Sequence, residues 1–283
     1  MSIPIRHGRQ LDHLREAGRI AAEILALTAR EVKPGVTTRE VEEFAVGLMK
    51  ERSCRSAFYH YKQGRRKFPG HICISINDEV VHGIGGPRVI HLQDLVKIDV
   101  GIITEAGWVG DNAMTVSAGG MSAEAQKLMW ATEESLEIAI SHAVPGGKLS
   151  ELCGSVEDCV TTYGFSVVRD LVGHGVGKKL HEEPQVPNYW DRGTMKENPR
   201  LRAGMALAIE PMVNVGVPEV VVLKDEWTIV TKDGALSSHF EHMVLITEEG
   251  PEVLTARPRV AAKPAGWGGK DLLGAIDRKT SAD

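Results

Sequence analysis

The chain repeats itself once, and this constrains its fold more than any other feature. Pro34-Gly35 and Pro145-Gly146 each separate two segments of helical periodicity, and they lie 111 positions apart. Glu40 and Glu151 share that offset, each early in the second helical segment. So do Asp99 in LVKIDVGI and Glu210 in MALAIEPMV, each an acid inside an apolar, strand-like run. Between helices and acid comes a short motif, His82-Gly-Ile-Gly in one copy and His174-Gly-Val-Gly in the other. These motifs are 92 apart, so the connections differ in length. A two-copy period this long is no solenoid. It implies two pseudo-symmetric α/β halves, about 10–120 and 121–250, within one domain over 1–255.

Periodicity fills in each half. Leu14, Gly18, Ala21, Leu25 and Thr28 follow three-four spacing and predict a helix over 11–31. Thr37-Thr38-Arg39-Glu40 has the form of a capping box and starts a helix running to 52. Further helices are predicted over 122–142 and 149–163. Strands are predicted over 72–76, 95–103, 108–116, 166–169, 205–215, 220–223, 226–230 and 237–247. Residues 57–71 are polar, aromatic and irregular and read as a loop. From 256 to 283 the chain is punctuated by Pro and Gly and reads as a solvated surface tail. Its weak basic bias leaves a transient ribosome contact as the alternative.

Bulk properties exclude several classes. The net charge of −5 gives no global field for nucleic acid. No run of about 18 apolar residues is present to span a bilayer. The first residues lack the apolar core of a secretory signal. Cys54, Cys73, Cys153 and Cys159 form no CxxC pair, which suits free thiols in a reducing cytoplasm.

Strand alternation shows where the acids point. Val96, Ile98, Val100 and Ile102 share one face; Lys97, Asp99 and Gly101 share the other. Met205, Leu207 and Ile209 oppose Ala206, Ala208 and Glu210. Glu241 lies with His239, Met243 and Leu245, and Asp111 follows Asp99 by twelve residues. One acid in a strand is ordinarily an edge residue or a satisfied buried carboxylate. Four of them, with His174 in the glycine-flanked GHGVGKKLHEEPQVPNY, are harder to accommodate. Burying carboxylates costs several kcal/mol each without compensating charge. Two divalent cations match four carboxylates, and oxygen donors with one imidazole suit Mn, Fe, Co or Zn.

The residues now on the page carry a resemblance over about 11–247. CISINDEVVHGIG (73–85), KIDVG (97–101), GHGVGKKLHEEPQVPNY (173–189), AIEPMV (208–213) and FEHMVLIT (240–247) resemble type I methionine aminopeptidases of the pita-bread metallopeptidase family. The resemblance implies an α+β fold of two pseudo-symmetric halves, with a curved antiparallel sheet covered by helices. It implies that Asp99 ligates one metal, that His174 and Glu210 ligate a second, and that Asp111 and Glu241 bridge both. Glu210 would carry the proton from the attacking water to the leaving amine. His181 would bind the carbonyl oxygen as it becomes an oxyanion, and His82 would contact the scissile amide. Cys73, Trp227, Phe68 and either Tyr59 or Tyr61, with Tyr61 preferred, would line a methionine pocket.

The sequence departs from the pattern in extra residues around YKQGRR (61–66), in Asn112 after Asp111, and in Leu180 before His181. The implied activity is removal of methionine from nascent polypeptide N-termini by a cytoplasmic monomer, with a small second residue preferred. Two other readings remain: a proline-specific aminopeptidase on the same fold, and a non-catalytic binding relative. All five ligand positions are filled, which disfavours the last.

Overall fold

The computed structural model describes residues 2–195 and 197–264; the predicted tail beyond 264 lies outside the described residues. The first half contains α1 (Arg9–Ala29), α2 (Thr38–Glu51), β1 (Arg55–Ser56), β2 (Lys62–Gln63), β3 (Arg66–Lys67), β4 (Cys73–Ile76), β5 (Glu79–Val81), β6 (Leu95–Ile103) and β7 (Val109–Ser117). The second contains α3 (Ala123–Ser141), α4 (Leu149–Thr162), β8 (Ser166–Val167), β9 (Gly173–Gly175), β10 (Glu182–Val186), β11 (Ala206–Ile209), β12 (Met212–Asn214), β13 (Val220–Val222), β14 (Ile229–Thr231), β15 (Ser237–His239), β16 (His242–Thr247) and β17 (Gly250–Val253). Among the described residues no helix is long and apolar enough to cross a membrane.

The 111-residue offset is visible in the hydrogen bonds. Gly35 N donates to Ile90 O at 2.9 Å, and Gly146 N to Leu201 O at 2.8 Å. Ile90 N donates to Val36 O and Leu201 N to Gly147 O, both at 2.8 Å. The isolated bridges Thr37–Val89 and Lys148–Arg200 keep the same offset. Each second helix starts with a glutamate accepting from the backbone three residues earlier: Glu40 from Thr37 N at 2.7 Å, Glu151 from Lys148 N at 3.2 Å. Both satisfy an N–H left without a partner at a helix start.

All-antiparallel sheets form the middle layer. β6 pairs with β7 along its length and with β4 and β1. The second half supplies a five-stranded sheet in the order β10-β9-β11-β16-β17. α1 lies so close to β7 that a Cβ on Gly110 would meet Ala17 O at 2.1 Å. Leu14, Ala17, Ala21, Ile24 and Leu25 fill that contact with no exposure. Each fully buried aliphatic side chain of the larger kind contributes about 1.5–3 kcal/mol. Buried Lys97 links the halves, donating to Asn77 O at 2.7 Å and Ser237 O at 3.2 Å.

The strand registers revise one reading of the repeat. β4 pairs Ser75 with Lys97, and β9 pairs His174 with Ala208. Ala208 stands 111 after Lys97, so the positional counterpart of His174 is Ser75, not His82. His82 lies on the next segment out, where Ile74 N donates to Gly83 O at 2.9 Å. The two His-Gly motifs are alike as short sequences but occupy different places.

Two predicted strands are each split. Residues 205–215 form β11 and β12, interrupted at 210–211, and 237–247 form β15 and β16, interrupted at 240–241. Pro211 has no N–H to give a ladder, and the ribbon bends there from one sheet to another. The predicted strand over 226–230 begins only at Ile229. Asp225 takes up the backbone before it, accepting from Trp227 N at 2.9 Å and Thr228 N at 2.8 Å, which favours a turn.

Candidate metal centre

Both halves deliver acids to one place. On β6 and β7, Asp99 pairs with Ala113 and Asp111 with Gly101, so both carboxylates project from the same face. Gly101 is required there, since a Cβ would meet the Phe58 ring at 2.3 Å. In the second half the pairs Ile209–His242 and Met212–His239 flank the bend in one continuous register. That register sets Glu210 opposite Glu241.

His174, on β9, closes the cluster. Its Nδ1 lies 3.0 Å from Gly175 O, so Nδ1–H donates there and the Nε2 lone pair faces the acids. Nε2 is 3.4 Å from Glu210 Oε1 and 3.8 Å from Asp111 Oδ2. Donor atoms of Asp111, His174 and Glu241 all lie within 4.8 Å of one another, a group that could hold a metal ion.

Electrostatics show that the cluster fits a cation. Removal from water pushes Asp99, Glu210 and Glu241 well above the carboxylate range, and repulsion from Asp111 adds to each. Desolvation pushes Asp111 up to about 7. Desolvation, then the neighbouring His181, pulls His174 down to about 3. Among the described residues, Asp99 Oδ1, Asp111 Oδ1 and Glu241 Oε1 are buried without a hydrogen-bond partner. Buried carboxylate oxygens with unmet lone pairs, gathered beside a neutral imidazole, are what a hard or borderline divalent cation requires.

One participant escaped the sequence reading. His239 is buried, with Nε2 3.6 Å from Glu210 Oε2, and among the described residues neither ring nitrogen has a hydrogen-bond partner. Alternation placed it beside Glu241 but gave it no role. The repeat contained the signal: Gly101 pairs with Asp111, and Met212, 111 residues on, pairs with His239. His239 is therefore the counterpart of Asp111.

A cavity of about 960 Å³ opens over the cluster. Its lining includes Cys73, His82, Asp99, Asp111, His174, His181, Glu210, Glu241, Tyr61, Phe68 and Trp227. His181 reaches it from the loop after β9, with its ring 4.3 Å from that of His174 at 80°. His82, at φ 60°, is pulled down to about 4 by burial, then by His181. The Tyr61 hydroxyl lies 2.6 Å from His181 Nδ1. Tyr59 instead stacks on His60 and His71 and is exposed, so Tyr61 is the tyrosine that faces the cavity. Phe68 and Trp227 meet edge to face with centroids 5.3 Å apart. The segment read as a plain loop holds the β2–β3 hairpin. Arg66 of that hairpin lies over Trp227 at 5.7 Å and donates to Glu226 O at 2.8 Å. Cys73 pairs with Asp99, and burial pushes its thiol well up, so it presents a neutral sulfur. Leu180 is buried in the same wall.

A duplicated α/β domain with an acidic, imidazole-bearing centre between its halves defines a metal-dependent hydrolase of the pita-bread fold. The pattern of metallopeptidase family M24 matches residues 12–248. A methionine aminopeptidase of Aquifex aeolicus is 46% identical over 259 residues, covering 90% of this chain and 99% of that protein. Methionine aminopeptidase 1 of Bacillus subtilis is 44% identical over 247 residues, covering 87% and 96%. The crystal structure of a Thermotoga maritima methionine aminopeptidase superposes with a TM-score of 0.84 at 39% identity, covering 90% of this chain and all of that one. The prolidase of Pyrococcus furiosus, at 24% identity and TM-score 0.72, shares the fold; it is matched over 66% of its length. The chain belongs to metallopeptidase family M24, and within it to the methionine aminopeptidases.

Proposed function

We propose that this enzyme hydrolyses the bond after an N-terminal methionine, using two divalent ions held by Asp99, Asp111, His174, Glu210 and Glu241. The observation that carries this reading is one cavity in which an apolar, sulfur- and ring-lined wall meets the acidic centre. When bound, such ions supply a water of lowered pKa and polarise the scissile carbonyl. Mn, Fe, Co and Zn all suit the donor set.

The residues divide the remaining work. Glu210 lies against both His174 and His239, within reach of the centre's edge. Its raised affinity for protons suits it to take one from the attacking water and pass it to the amine as the C–N bond breaks. If the Tyr61 O–H donates to His181 Nδ1, the opposite nitrogen carries the proton and can donate to the developing oxyanion. His82 borders the leaving nitrogen. Phe68, Trp227 and Cys73 form the side-chain pocket; sulfur–aromatic contacts are worth about 0.3–1.5 kcal/mol each.

The substrates are the N-termini of nascent chains with a small second residue. Action as a monomer is part of the same proposal. The four cysteines are free thiols, which suits the cytoplasm. Hydrolysis of Met-Ala-Ser set against Ala-Pro peptides tests the reading. Cleavage of the first at least 100-fold faster is expected, and preference for the second would transfer the enzyme to the proline-specific class.

A further inference from the structure

Two of the candidate ligands, Glu210 and Glu241, stand in breaks between strands, and their positions must be fixed from outside the ladders. Glu241 stands in the gap between β15 and β16, outside both ladders. Its N–H donates to Ala113 O at 2.9 Å. Its carbonyl accepts from Arg257 Nη1 at 3.3 Å. Arg257 Nη2 also donates to Ala113 O, at 3.0 Å. One guanidinium thus joins the bend carrying Glu241 to the strand carrying Asp111. It also lies over the Phe240 ring at 5.9 Å and 3.1 Å from the ring nitrogens of His242.

Arg257 belongs to a segment fastened at both ends. On one side Leu254 N donates to Met243 O at 2.8 Å, and Thr255 Oγ1 accepts from Met243 N at 3.0 Å. On the other, buried Glu133 of α3 accepts from Val260 N at 3.0 Å and Ala261 N at 2.7 Å. Arg259 lies over Trp130 at 3.5 Å and 3.3 Å from Glu137. The first residues of the predicted surface tail therefore cross the back of the metal centre as a strap pinned to α3.

We infer that Arg257 is a positioning residue: through the backbone of Glu241 and Ala113 it holds the ligands of β7 and the β15–β16 bend at metal-binding spacing. This rests on the metal centre proposed above. Groups that orient ligands from behind typically change metal affinity by about 10–100-fold when removed.

The test is Mn²⁺ binding to metal-stripped enzyme, read by electron paramagnetic resonance of the free ion, for wild type, R257K and R257M. R257M is expected to weaken Mn²⁺ binding by roughly 10- to 100-fold. R257K, which retains a cationic donor, should recover part of the loss, and excess Mn²⁺ should restore turnover by R257M. Wild-type affinity in R257M would overturn the inference, as would R257K as weak as R257M. If R257M does not fold, E133A frees the far end of the strap and carries the same readout: weakened binding supports the inference, and wild-type affinity overturns it. Absence of Mn²⁺ binding by the wild type would instead overturn the metal centre itself.

Discussion

Glu210 and Glu241 face each other across a bend where one antiparallel ribbon passes between two sheets. Neither lies in a ladder, because the strands on both sides stop to accommodate them. The backbone is arranged so that two acids meet in a place where neither is stable alone, and this directs the predictions.

Glu210→Gln keeps the shape of the side chain and removes its proton transfer. Turnover of Met-Ala-Ser is expected to fall by about 10²–10⁴-fold, the usual size of a general acid–base contribution. A variant with full turnover would remove Glu210 from the mechanism.

Tyr61→Phe deletes the hydroxyl 2.6 Å from His181 Nδ1. Losing one oxyanion donor outright costs about 10²–10³-fold in turnover. Losing only its support should cost less, on the order of 10-fold, in kcat rather than KM. His181→Ala should show the full loss, and equal losses in the two variants would argue that Tyr61 acts directly.

How much of this was legible in the sequence follows from what each signal depends on. The helices followed from local periodicity, and the Thr37–Glu40 cap from local chemistry. Asp99, Glu210 and Glu241 stood out because an acid in an apolar strand is conspicuous. The bends at 210 and 240 were hidden because they serve a contact between distant segments. β9 was hidden because Gly-His-Gly has no strand periodicity and pairs only through its backbone. His239 was missed because its role lies in register, which composition does not reveal. Trp227 lines the cavity from a turn and not from the predicted strand, because the Asp225 turn was not recognised.

Trp227→Ala removes the ring that meets Phe68 at the cavity wall. The loss of apolar and sulfur–aromatic contact predicts a rise in KM for Met-Ala-Ser of about 10-fold, consistent with 0.3–1.5 kcal/mol per contact plus lost burial. Turnover at saturation should change less. An unchanged KM would place the methionine side chain elsewhere.

The buried groups also predict how the metal-stripped protein responds to pH. His82, His174 and His239, held near 4, 3 and 3, stay neutral when folded but bind protons when unfolded, so they favour the folded state as pH rises towards 6.5. Above that they contribute no further change. The acids act oppositely: with Asp111 raised to about 7 and the other three also raised, the folded state holds more protons. Above about 6.5, where the histidines add nothing more, stability should therefore fall as pH rises through about 7. Urea unfolding midpoints should show this decline without metal and its loss with saturating Mn²⁺. A flat profile without metal would contradict the crowding of acids at the centre.

The most direct measurement is Met-Ala-Ser hydrolysis by enzyme stripped with EDTA, as Mn, Fe, Co or Zn is titrated back. The account predicts no turnover without metal, and activity recovered as up to two ions bind per chain. Full turnover by the stripped enzyme would contradict it.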